Sequence, residues 1–244
     1  MESKIYSVFK IFSHIHNPSD SHMVFNGSSI MSGAPKKYAL ILANLDYTLV
    51  DPSTRKIKTY VEIGWGEAQA VAFVADKKNW DNIASFNTTK VTFSASSRRN
   101  RFYEVFWQEN FFAYDTLYPH INGILAELVK KFQVVVFSDR TEDQKEKTLA
   151  RLKQIGVPVD HMQFIFKGVH ETLVHFKTEC VRKTHNKYQS GLVVLHIPAD
   201  LELYRRHNFT PIGFTTTYDR PDFFAADAVC DDWKQIHAVL NTVQ

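Results

Sequence analysis

From residue 38 onward the chain alternates short, unbroken apolar runs with stretches whose apolar residues recur three or four positions apart. Residues 38–43 (Tyr-Ala-Leu-Ile-Leu-Ala) are apolar throughout and run into the polar turn Asn44-Leu-Asp-Tyr-Thr48. Such a run suits a strand covered on both faces, as in a parallel sheet. Further strands are expected at 134–137, 163–166, 191–195 and 212–215. Between them the helical period takes over. Thr141 is placed to cap a helix carrying Leu149, Leu152 and Ile155, and further helices are expected over about 169–183, 199–206 and 231–240. Strand and helix in alternation imply an α/β fold, a doubly wound parallel sheet with right-handed crossovers. Chemistry should then gather at the carboxyl ends of the strands.

Two segments break the rhythm. Residues 52–115 carry Trp65, Trp80, Phe102, Tyr103, Phe106, Trp107, Phe111 and Phe112 without a strand–helix alternation, and read as an inserted, mostly helical cap. The aromatics are expected to form mainly that cap's own core. Residues 1–37 are rich in Ser, Asn and His, although Ile5, Val8, Phe9 and Phe12 share one helical face. Three units follow: an amino-terminal extension over 1–37, a core over 38–51 and 116–244, and a cap over 52–115. The extension is expected either to dock on something or to be a tail. It contains no Arg, which argues against a mitochondrial transit segment, and a cleaved presequence is not expected.

Composition narrows the class. Two cysteines, Cys180 and Cys230, in 244 residues exclude a disulfide scaffold and favour a reducing compartment, cytoplasm or mitochondrial matrix. The apolar runs fall far short of the ~20 residues that cross a bilayer, so a soluble protein is expected. Twenty-nine basic against 26 acidic residues demand no acidic partner. The local cluster Arg98, Arg99 and Arg101 could grip a phosphate or a nucleic-acid backbone, but reads more readily as a solvated helix face.

The strand ends hold the candidate chemistry. The first presents Asn44 and Asp46, with Thr48 behind; the second Ser138, Asp139 and Arg140; the third is followed by Lys167, or by Lys177 one helix-length later; the fourth presents His196 and Asp200. Hydroxyl, ammonium and carboxylates converging on one crevice suit the handling of a phosphoryl group. In order and content these segments resemble the haloacid dehalogenase-like (HAD-like) superfamily, over about residues 38–244. Asn44-Leu-Asp46-Tyr-Thr48 is similar to that family's Asp-x-Asp-x-Thr, Ser138 to the Ser/Thr closing its second strand, Lys167 or Lys177 to its lysine, and the segment from His196 to Asp200 to its acidic motif. A fifth strand over 209–214 and a segment over 226–232 entering the last helix complete the likeness, as does a cap between the first two motifs.

The resemblance implies a phosphohydrolase with an aspartyl nucleophile and Mg²⁺, with Asp46 as general acid/base. Two positions depart from it. The nucleophile position is Asn44, an amide that cannot attack phosphorus, and loss of a nucleophile elsewhere costs on the order of 10⁶ in turnover. A metal-ligand position is His196, and Mg²⁺ prefers hard oxygen donors. The expected function is therefore a catalytically inactive HAD-like protein that binds as a subunit of a larger assembly, through the extension or the cap, with no cofactor. The alternative is an active phosphohydrolase on a small phosphomonoester, and that reading alone calls for Mg²⁺. Bland roles stand beside these: Asp46 and Thr48 closing the turn, Ser138 bonding it, and Asp200 capping the helix from Leu201. A transition-metal site from His196, Asp46 and Asp200 is a minor possibility; the His14/His16 and His170/His175 pairs lack zinc-ligand spacing.

Overall fold

The computed structural model describes residues 38–79 and 95–242. The periodic face at Ile5–Phe12, Trp80 and the side chains of Arg98 and Arg99 lie outside the described residues.

Six parallel strands form the main sheet: β1 (Ala39–Leu42), β4 (Gln133–Thr141), β5 (Gln163–Lys167), β6 (Gly191–Leu195), β7 (Phe209–Phe214) and β8 (Ala228–Cys230). Their order is β5-β4-β1-β6-β7-β8. The doubly wound parallel sheet expected from the apolar runs is present. Alternate side chains of each strand enter opposite layers. Leu40, Leu42, Val134 and Val136 face α4 (Ile121–Lys131), α5 (Lys145–Gln154) and α8 (Trp233–Asn241). Ala39, Ile41, Val135 and Phe137 face α6 (Leu173–Tyr188) and α7 (Leu201–Arg205). Both faces are thus sealed, which is why the strands read as continuous apolar runs rather than alternating ones. Gly191 opens β6 where the backbones crowd: a Cβ there would lie 2.4 Å from the Ala39 carbonyl oxygen.

Helix α4 has no counterpart among the expected elements, although Ile121, Ile124, Leu125 and Leu128 are spaced for one face and are buried together. Strand β8 is likewise additional, three residues long where a connecting segment was expected. Thr141 does cap, but its capping box with Gln144 closes a 3₁₀ turn over Glu142–Gln144 that leads into α5.

The cap stands on a two-stranded antiparallel ribbon, β2 (Val50–Asp51) against β3 (Thr116–Leu117). Between these strands lie α1 (Ser53–Glu62), α2 (Glu67–Ala75) and α3 (Ala95–Phe106), followed by a 3₁₀ turn over Glu109–Tyr114. Tyr60, Trp65, Phe73, Phe102 and Phe106 pack with one another, Tyr60 and Trp65 stacked with ring centroids 4.2 Å apart. Among the described residues Trp65, Phe102 and Phe106 thus form an aromatic core of this segment, with Tyr103 and Trp107 packed against it.

Candidate functional site

The site begins where β1 stops. After Leu42 the chain makes one tight turn: the Leu49 and Val50 amides both donate to the Leu45 carbonyl, and the Tyr47 amide donates to the Val50 carbonyl. Tyr47 sits in the left-handed region at φ 66°, sparsely populated by residues with a side chain. Anchors from afar hold it there. Thr216 Oγ donates to the Tyr47 carbonyl at 2.9 Å, and the Trp233 indole donates to the Thr48 carbonyl at 3.0 Å. The turn aims Asn44 and Asp46 over the carboxyl edge of the sheet, beside the ends of β4 and β6.

Asp46 does not close this turn by capping it. Its carboxylate oxygen receives Arg140 Nη2 at 2.7 Å and pairs with Arg55 at 2.8 Å. Asp115, fully buried at the end of the cap, completes a square: Arg140 Nη2 donates to it at 2.7 Å and Arg55 Nε lies 3.3 Å away. Two carboxylates and two guanidiniums thus form a tetrad of zero formal charge, with both arginine side chains wholly buried. Aromatic rings roof it. The Arg55 guanidinium lies 4.1 Å from the Phe106 ring centre, and that of Arg140 lies 4.3 Å from Phe112. Burial opposes charge on Asp46, but Arg140 and Arg55 outweigh it and hold its pKa down at about 2. At Asp115 burial prevails over the same two cations and raises the carboxyl above its usual range.

The other half of the site is different in kind. Asn44 is buried, and its side-chain oxygen has no hydrogen-bond partner among the described residues. His196 is buried too. Its Nδ1 lies 3.4 Å from Thr48 Oγ, and its ring sits 5.4 Å from Tyr47. Burial first, and then the nearby Lys177 ammonium, depress its pKa to about 3, so the imidazole is neutral. Lys177 donates to Asp200 at 2.6 Å. The structure thereby separates the two lysine candidates. Lys177 reaches the His196–Asp200 segment, whereas Lys167 donates to the carbonyls of Gly168 and Glu171 in its own loop. Asp200 makes no side-chain cap on α7, so its expected capping role gives way to the ion pair with Lys177. Ser138 does bond its turn: its Oγ accepts the Arg140 amide at 3.2 Å. Asp139, next to it, keeps one oxygen without a partner, and burial pushes its pKa up to about 6 against the pull of Lys177.

Among the described residues no three His, Cys, Asp or Glu side chains cluster as a metal site would require. His196, Asp46 and Asp200 each turn to a different partner, which corrects the transition-metal possibility. Magnesium fits poorly here for the same reason. Asn44 offers an amide oxygen, His196 a neutral imidazole and Asp200 a carboxylate paired with Lys177; Asp139 adds one unpartnered oxygen, but these do not gather into the hard oxygen set that ion selects. Arg101 pairs with Glu104 at 3.3 Å on the exposed surface of α3, which fits the solvated-face reading of the basic cluster. Both cysteines are buried and unpaired with each other, and burial raises each thiol to about 12.

Arg55 and Asp115 went unmarked in the sequence, and Arg140 stood only as a neighbour of Ser138. The one signal that points to them is a lone charge set among aromatics, as Asp115 follows Phe111 and Phe112.

No family model matches the sequence, and no curated protein does. Solved structures match the fold. A haloacid dehalogenase-like hydrolase from Streptococcus pneumoniae superposes with a TM-score of 0.58 at 14% identity, over 85% of this chain and 99% of that one. Protein tyrosine kinase A from Mycobacterium tuberculosis gives 0.58 at 15% identity over 84% and 99%. A HAD-family hydrolase from Deinococcus radiodurans, solved with phosphate and sodium bound, gives 0.54 at 12% identity over 86% and 97%. Proteins titled hydrolase and kinase share this architecture, so the architecture does not name the reaction. The sheet order, the ribbon-borne cap and these superpositions together show that the chain adopts the haloacid dehalogenase-like fold.

Proposed function

We propose that the protein is a catalytically silent member of this fold class that works by binding, as a subunit of a larger assembly. The observation that carries the reading is the double ion pair on Asp46. An acid/base group must exchange its proton near the operating pH. A carboxylate held at about 2 by two buried guanidiniums, both on its Oδ1, stays ionised and has no proton to give near neutral pH. Around it, the groups that would attack and bind cation are a neutral amide and a neutral imidazole. The tetrad also ties Arg55 and Asp115 of the cap to Asp46 and Arg140 of the core, so the cap is fastened over the sheet edge.

The test is turnover of p-nitrophenyl phosphate with Mg²⁺ by the purified chain and by Asp46→Ala. No turnover above the uncatalysed rate is expected from either. Magnesium-dependent turnover that disappears in Asp46→Ala would establish the phosphohydrolase alternative instead. The pair Asn44→Asp with His196→Asp sharpens the result: hydrolysis regained there, and absent from the native chain, supports loss of function at these two positions.

A further inference from the structure

The two edges of the main sheet are unlike. The β8 edge is three residues long and stands between Asp227 and the Asp231–Asp232 pair. Short, charged edges of this kind resist further strand pairing. At the opposite edge β5 runs Gln-Phe-Ile-Phe-Lys for five residues, and among the described residues it pairs only with β4. Beside it, between α5 and the 3₁₀ turn Val159–His161, lies a groove of about 330 Å³ with Leu149, Val159, Met162 and Phe164 in its walls. Lys145 and Lys153 stand in the same walls. They lie four residues either side of Leu149, so all three form one stripe along α5.

The stripe has a usable spacing. At about 1.5 Å per residue, Lys145, Leu149 and Lys153 are about 6 Å apart along the helix. In an extended strand, residues i, i+2 and i+4 share one face and are spaced about 6.6 Å apart. Lys145 also stands 5.9 Å from the Phe166 ring, toward the carboxyl end of β5, while Lys153 pairs with Asp160 near its amino end. The cationic stripe therefore runs along the strand. Lys145 and Lys153 currently pair with Glu142 and Asp160, but these pairs are largely exposed, and such pairs are worth about 0–1 kcal/mol, so exchange for another carboxylate costs little. Lys187 and Lys167, near the two ends of β5, donate to a neutral amide and to carbonyl oxygens, which leaves this edge with net positive charge.

We infer that β5 accepts an added strand from a partner protein, an extended segment of the form acidic–x–apolar–x–acidic. Its backbone joins the sheet edge, its apolar side chain enters the groove beside Leu149, and its two carboxylates meet Lys145 and Lys153. The inference rests on reading the chain as a binding protein and adds the partner's chemistry and the place where it docks.

The probe is the fluorescein-labelled peptide Ser-Glu-Thr-Val-Thr-Glu-Ser, titrated with the full chain by fluorescence anisotropy. Its control, Ser-Thr-Glu-Val-Glu-Thr-Ser, has the same composition with both acids on the face opposite the valine. Saturable binding of the first peptide, at least tenfold tighter than the second and weakened at least tenfold by Lys145→Glu with Lys153→Glu, is expected. Both substitutions lie on the surface, and an unchanged melting temperature verifies the fold. No binding, equal binding of the two peptides, or binding unaffected by the double charge reversal overturns the inference. So does sedimentation showing a dimer that the same variant dissociates, because the edge would then belong to a second copy. Phosphomonoester turnover is a separate readout, so failure here leaves the reading of the β1 site standing.

Discussion

The two halves of the β1 site are built in opposite ways. On the cap side every group is charged, and the charges cancel inside a buried tetrad. On the β6 side Asn44 and the buried His196 are neutral, and Lys177 pairs with Asp200. A working phosphoryl-transfer site needs charges aimed at the reacting group rather than at one another. On the proposed reading, cancellation on one side and neutral groups on the other leave few charges so aimed. The tetrad is the half more sensitive to substitution, since buried ion pairs tolerate the loss of one member badly.

The largest effect expected is at the tetrad. Arg140→Met leaves Asp46 and Asp115 facing each other with only Arg55 between them, and should cost about 3–5 kcal/mol in urea unfolding. Arg140→Met combined with Asp115→Leu should recover much of that loss. A single-variant loss below about 1 kcal/mol would mean that the tetrad does not tie cap to core. The Asp46 pKa, depressed to about 2 from a usual 3.8, adds stability above about pH 4 that disappears as pH falls through 2.

The next effect lies on the neutral side. His196 has a folded pKa of about 3 against a usual 6.5. Unfolding therefore takes up a proton below about pH 6.5, and stability should fall by a few kcal/mol between pH 6.5 and 3. His196→Gln should flatten that limb in thermal melts; an unchanged slope would show that the ring is not held neutral. Smaller again is Asp139. Its raised pKa of about 6 penalises the ionised form in the fold. Asp139→Asn should thus stabilise by on the order of 1–2 kcal/mol at pH 8, with the gain fading as pH falls from about 6 and gone by about 4. Smallest is the exposed Arg206–Glu202 pair on α7, where Glu202→Ala should change stability by less than about 0.5 kcal/mol.

Legibility followed range. The strands could be found because a sheet sealed on both faces demands runs such as 134–137 and 191–195, and each such run lies within one element. Ser138 and His196 could be placed because they directly follow those runs. Lys167 and Lys177 could not be told apart, since the loop and helix after β5 carry one lysine into its own turn and the other to Asp200. Asp200 misled for a related reason. Its position before Leu201 suits a cap, yet an ammonium 2.6 Å away is the stronger attraction for a partly buried carboxylate.

The amino-acid order by itself determined the layered sheet and the identity of Asn44 and His196, because apolar period and residue chemistry are local properties of the chain. Tertiary structure alone decided that Arg55, Asp115 and Arg140 meet at Asp46. Those four residues are separated by up to 94 positions, and only the folding of the cap onto the sheet edge brings them within ion-pair distance. Coulomb attraction between buried groups depends on separation in space and on exclusion of water, and neither is written in sequence spacing.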